Sequence, residues 1–228
     1  MTFSLGWLVL VTALLPPLES LAAGSFAVHM IQHEVLMLVA APLLVLGRPL
    51  PVFLWAFPSP VRSAVGRWTR RPPVRRSWAG LMHPFTGWSM HAAALWVWHA
   101  PSIFQAALAT PALHELQHLS FVVSALLFWS GLLVAGGAAG RGGASLYLFT
   151  TTVHTSVLGA LITFARTPWY TPAIRLEQSL DSMTDQQLGG LIMWVPGSLV
   201  YVGFGVLLLM RWVLDSGLST HSVRPDRP

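Results

Sequence analysis

His29-Met30-Ile31-Gln32-His33 and His114-Glu115-Leu116-Gln117-His118 place two pairs of imidazoles, each four residues apart, at the starts of two long apolar runs. Residues four apart on a helix share a face, with Cβ atoms about 5–6 Å apart, so each pair offers two ring nitrogens to one ion. An imidazole is costly to bury in lipid, and four of them at one depth point to a metal or proton site. Imidazole suits copper and zinc, and thioethers tilt the choice toward Cu(I). Met30 lies inside the first pair, and Met37 and Met193 lie on segments able to face it. Copper is the expected ion, with zinc or haem as alternatives. Interfacial histidines also cap helix ends or bond across helices without any metal. The repetition of H-x-x-Q-H at one depth favours the metal reading, and Gln32 and Gln117 are read either as hydrogen-bond partners of the ligands or, equally, as lipid-facing or helix-contact residues.

The elements that carry these residues are membrane helices. With 54% apolar residues, 9% charged residues, 11 Trp and no Cys in 228 positions, the composition is that of a polytopic membrane protein. The expected fold is an all-α bundle of about six transmembrane helices, forming one integral membrane domain over 1–228. A bilayer core about 30 Å thick needs about 20 apolar residues per helix. Ser25 to Leu46, Ala79 to His99, Leu113 to Ala135, Ser145 to Ala165 and Leu188 to Trp212 meet that need. Phe3 to Leu15 supplies a sixth helix, read as retained; the other reading is a signal-peptide core cleaved near Ala22-Ala23-Gly24. Pro42, Pro84 and Pro196 are expected within helices, as kinks.

All 13 basic residues are Arg, and Arg62, Arg67, Arg70, Arg71, Arg75 and Arg76 crowd one connection. The positive-inside rule makes 58–78 a basic cytoplasmic loop and 213–228 a polar cytoplasmic tail, with both termini inside a bacterial cell membrane. No separate domain accompanies the arginines, so they read as a topogenic signal with some attraction for anionic lipid, and nucleic acid is not an expected partner. Both histidine pairs then fall near the outer face. His99, at the end of the third helix, and Asp185, just ahead of the sixth, reach the same level as further metal ligands. His91 and His154 fall near mid-bilayer as a buried polar pair, a relay or axial haem ligands. His83, His221 and the glycine-rich turn from Gly136-Gly137 to Gly142-Gly143 carry no expected chemistry.

His114-Glu115-Leu116-Gln117-His118 also matches H-E-x-x-H, in which two histidines hold zinc and the glutamate activates water. An intramembrane zinc protease is therefore an alternative. The parallel element has Met30 in place of Glu115, so what the two share is histidines and glutamine, not the carboxylate. A haem redox protein and a metal-free assembly scaffold are the other rivals.

Several separated motifs resemble the membrane-integral caa3-type cytochrome c oxidase assembly factors (CtaG), over about Leu18 to Met210. They are His29 to His33 with Leu36-Met37, Ala41-Pro42-Leu43 and Gly47-Arg48-Pro49; Trp98-His99-Ala100-Pro101; His114, His118 and Phe121; Phe128-Trp129; Pro168-Trp169-Tyr170; and Asp185-Gln186-Gln187-Leu188-Gly189-Gly190. The resemblance implies a non-enzymatic factor that matures a copper-containing oxidase by handling copper at the outer face. Its expected partners are oxidase subunits or other copper-handling proteins, besides the lipid bilayer. Without Cys, the copper rests on His, Met and oxygen ligands.

Overall fold

The computed structural model describes residues 1–47, 53–133, 140–171 and 180–219. Arg48, Arg175, Arg224, Arg227, His221 and Gly136-Gly137 lie outside the described residues, as do 220–228 of the expected tail. Helix α1 (Thr2–Leu14) ends before Pro16-Pro17, and a single turn, α2 (Leu18–Ala22), follows. Next comes one continuous span, made of α3 (Phe26–Glu34), a π-helical stretch (Val35–Ala40) and α4 (Ala41–Leu46). The widened turns sit just ahead of Pro42, which has no N–H for the Leu38 carbonyl and crowds it with its ring. Beside that carbonyl, Met37 O accepts the Trp129 indole N–H at 2.8 Å.

The arginine-rich connection is itself helical, as α5 (Ser59–Thr69) and α6 (Pro72–Leu81), neither with a buried residue. The expected single span from Ala79 to His99 is broken. Helix α6 stops at Leu81, and α7 (Pro84–Trp98) starts afresh with the His83 ring accepting the Phe85 N–H at 3.2 Å. Pro84 drives His83 to an extended backbone at φ −66°, ψ 132° and serves as the first residue of a new helix, not as a kink inside one. A short helix that the sequence reading did not anticipate, α8 (Pro101–Ala109), follows. The chain then runs through α9 (Pro111–Leu133), α10 (Gly140–Thr163) and α11 (Ser182–Ser219), the last with Pro196 in its interior.

No strand occurs among the described residues. Among the described residues, four stretches are long and apolar enough to cross a membrane: Phe26–Leu46, Pro111–Leu133, Gly143–Thr163 and Ser182–Arg211. They overlap four of the six expected spans. The two shorter apolar helices complete the bundle, α1 packed on α4 and the π stretch, α7 on α9. Helices α10 and α11 touch backbone to backbone, since a Cβ on Gly190 would lie 2.9 Å from the Gly159 carbonyl oxygen.

The pattern of burial is that of a membrane protein. Phe164 is 69% and Leu199 66% exposed, while His29 is 1% exposed. Apolar side chains meet the surroundings and imidazoles the interior, which is the stable arrangement only where the surroundings are lipid. Trp129, Phe121, Phe128, Phe104 and Tyr170 fill the centre. Because α7 starts beside the arginine helices and ends at His99, the arginines of α5 and α6 and the histidine pairs that meet His99 occupy opposite ends of the bundle.

Candidate metal centre

Helix α3 begins on a cap supplied by the far end of the chain. The Asp185 carboxylate accepts the Phe26 N–H at 2.6 Å, the Ala27 N–H at 3.1 Å and the Ser25 hydroxyl at 2.7 Å. Two of the backbone donors that a helix start leaves unmatched are thereby met by a negative charge, which the helix dipole also favours, and a third, the Val28 N–H, donates to the Ser25 hydroxyl oxygen at 3.3 Å. Gly189 lets α11 come this close, since a Cβ there would overlap the Phe26 ring. So anchored, α3 turns His29 and His33 inward, and Pro111 starts α9 so that His114 and His118 meet them.

The four rings are contiguous. Centroids lie 4.3 Å apart within each pair, 5.2 Å between His29 and His114, 5.8 Å between His29 and His118, and 5.3 Å between His33 and His118. One ring nitrogen from each of His29, His114 and His118 lies within 4.8 Å of the others. An ion with metal–nitrogen bonds of about 2.0 Å holds its nitrogens roughly 3.3–3.5 Å apart, so closure takes side-chain shifts on the order of 1 Å. His99 stands beside them, its ring centroid 6.1 Å from that of His33. Its Nδ1–H donates to the Leu95 carbonyl at 2.7 Å, which leaves the lone pair on Nε2. The Tyr170 hydroxyl fixes the same residue by donating to the His99 carbonyl at 2.6 Å.

The Nε2 atoms of His29, His33, His99, His114 and His118 are all buried, and none has a hydrogen-bond partner among the described residues. His33 Nδ1 is likewise unmatched; buried polar atoms are nearly always matched, so six unmatched ring nitrogens in one place demand an explanation. A cation shared among neutral imidazoles supplies one, and the donor set fits a borderline or soft metal. Phe104 and Phe121 wall the cluster, with Phe121 4.6 Å from the His33 ring. A small cavity bounded by Ala22, Ala23, Phe104, Leu108 and Tyr170 opens onto His29.

Other expected site residues lie elsewhere. Asp185, expected as a ligand, spends both oxygens on the start of α3 and shapes the cluster only by holding that helix. Met30 packs toward α11, where a Cβ on Gly189 would lie 3.2 Å from its Cγ. His91 has Nδ1 3.2 Å from the Ser124 hydroxyl and Nε2 3.3 Å from the Tyr201 hydroxyl, so neither nitrogen is open to a haem iron. His154 stands edge-on to Trp88 at 5.6 Å, away from the cluster. Glu115 of the H-E-x-x-H motif is exposed. Of the two glutamines in the repeats, Gln32 donates to the Ala13 carbonyl at 2.8 Å and to Glu19 at 2.5 Å, while the amide of Gln117 is buried without a partner among the described residues.

Three residues that matter here went unread in the sequence. Glu19, on the turn α2, brings Oε1 to 3.5 Å from His114 Nδ1. Gln186 accepts the Trp169 and Tyr170 N–H groups at 2.5 and 3.2 Å and so positions the tyrosine that holds His99. Glu34 has a buried carboxylate oxygen that a Cβ on Gly197 would approach to 2.9 Å. Scarcity was a usable signal. The chain has only eight acidic residues, and both Glu19 and Glu34 fall in or beside its first apolar spans.

The model of a family described as cytochrome c oxidase caa3 assembly factor matches residues 1–215, nearly the whole chain. No curated protein and no solved structure matches it.

Proposed function

This chain belongs to the cytochrome c oxidase caa3 assembly factor family, and we propose that its part in assembly is to hold copper in the histidine cluster and pass it on. The observation that carries this reading is the convergence of five unmatched, buried Nε2 atoms from three helices, three of those residues having nitrogens within 4.8 Å of one another. His29, His114 and His118 form the primary holding set. His33 and His99 stand beside it as further nitrogen donors. The copper is cargo. Neutral imidazoles without any thiolate bind it less tightly than cysteines would, which suits a protein that must release what it carries.

Orientation follows from charge. The arginines of α5 and α6 lie at the opposite end of the bundle from the cluster, and the positive-inside rule puts them in the cytoplasm. The cluster then faces the outer side of a bacterial cell membrane, and both termini face inward. The recipient on that side is an oxidase subunit or another copper-handling protein. The work is binding and transfer without catalysis: the carboxylate that meets His114 is Glu19, already engaged by Gln32, and the motif glutamate Glu115 points outward.

The test is anaerobic loading of the detergent-purified chain with Cu(I), beside a variant with His29, His114 and His118 all changed to Ala. The expected result is about one tightly held copper per chain, lost in the variant, together with reduced copper-oxidase activity in cells that carry it. A chain that takes up no copper, or a variant that takes up as much, overturns the reading.

A further inference from the structure

The least buried histidine of the cluster is also the only one of its five whose ring meets a carboxylate among the described residues. The His114 side chain is 21% and that of Glu19 33% exposed, with Nδ1 of the histidine 3.5 Å from Oε1 of the glutamate, an ion-pair contact that a side-chain shift of a few tenths of an ångström brings into hydrogen-bond range. Glu19 does not float. Its other oxygen accepts from Gln32 Nε2 at 2.5 Å, and that amide also donates to the Ala13 carbonyl at 2.8 Å. A chain of polar contacts thus runs from the end of α1, through the second helix turn of the first histidine pair, to the carboxylate on α2 and across to α9. At the far side of the His114 ring, Nε2 is buried and has no partner among the described residues.

We propose that Glu19 is a positioning residue for the bound ion: it accepts the Nδ1–H of His114, so the lone pair stays on Nε2 and is directed at the metal shared with His29 and His118. The inference rests on the reading that the cluster holds copper. A ligating imidazole commonly donates its other N–H to a carboxylate, which fixes the tautomer and ring orientation and makes the ligating nitrogen more basic. A full negative charge beside the ring also offsets the charge brought by the cation, in a site whose other donors are neutral. Gln32 holds the carboxylate at the proper height, which gives the glutamine of H-x-x-Q-H a task one contact removed from the metal. Glu19 does for this cluster what the glutamate of H-E-x-x-H does not: it meets the ring of His114 from another helix.

The measurement is the affinity of the full-length chain for Cu(I), by competition with a chromogenic chelator, for Glu19→Gln, Glu19→Ala and Glu19→Asp. Loss of such a partner typically costs 10–100-fold in metal affinity. Glu19→Gln is expected to show a loss of that size with the melting temperature of the metal-free protein unchanged, since its amide oxygen still accepts from Gln32; Glu19→Ala to show the same loss with a lower melting temperature, as Gln32 loses that bond; and Glu19→Asp to recover part of the affinity. A merely structural role for α2 is separated by repeating Glu19→Gln in a His114→Ala background, where no further loss is expected. An equal loss in both backgrounds, or full affinity in Glu19→Gln, overturns the proposal while leaving the copper reading intact. A wild-type chain that binds no Cu(I) overturns both.

Discussion

Two layers of buried histidine can be set side by side. Midway along α7, His91 has each ring nitrogen opposite a hydroxyl, of Ser124 and of Tyr201, and its ring lies 5.0 Å from that of Phe128. At the end of the same helix, His99 joins four other histidines whose Nε2 atoms meet no partner among the described residues. Burial is the same in both layers, His91 at 1% and His99 at 2% exposure, so burial does not tell them apart. Completion does. A polar group whose bonds are closed within the protein is a building element, and a set of them left open toward one point is a place prepared for a ligand.

The contrast breaks first if the open layer turns out not to bind. Changing His29, His114 and His118 together to Ala is expected to lower Cu(I) affinity by more than about 100-fold on the loss of three ligands. The melting temperature of the metal-free protein is expected to fall as well, because buried imidazoles give way to cavities and His114 leaves its contact with Glu19. Asp185→Ala comes next. It removes a charged cap with three donors on it and is expected to cost about 2–3 kcal/mol in unfolding measurements, with weaker copper binding as α3 loosens. His91→Phe parts from the first variant in its copper affinity: stability falls by about 1–2 kcal/mol as Ser124 and Tyr201 lose a partner, and Cu(I) affinity stays at the wild-type value. If His91→Phe lowers copper affinity as much as a cluster variant does, the division between the two layers is wrong. The smallest effect is expected of Glu115→Gln, for which copper affinity and oxidase assembly both remain unchanged; inactivation by this change would point to a protease.

Much of this was legible in the residues alone. Three of the expected spans end within two residues of the observed membrane-crossing stretches and a fourth overlaps Ser182–Arg211 but begins six residues late, because the length and apolarity of a run decide whether it crosses a bilayer. The two histidine pairs were legible too, because spacing along a helix is written directly in the sequence. What went unread lies across helices. Asp185 caps a helix whose first residues are 158–160 positions away, and Glu19 meets a histidine on another helix; no periodicity records either contact. The break before α7 is a different case. Its signal, a proline after an extended residue, was present in His83-Pro84, but the apolar composition on both sides masked it.

The Asp185 cap also sets an order of events during synthesis. Every histidine of the cluster has been made by residue 118, yet the helix that carries His29 and His33 waits for its cap until residue 185 has left the ribosome. Helix α11 must insert, and its glycine must slide under Phe26, before that end of the bundle is locked. Helix α11 is therefore a completion mark: a chain cut short before it, or stalled with α11 still outside the bilayer, displays all five imidazoles but lacks the clamp that aligns them.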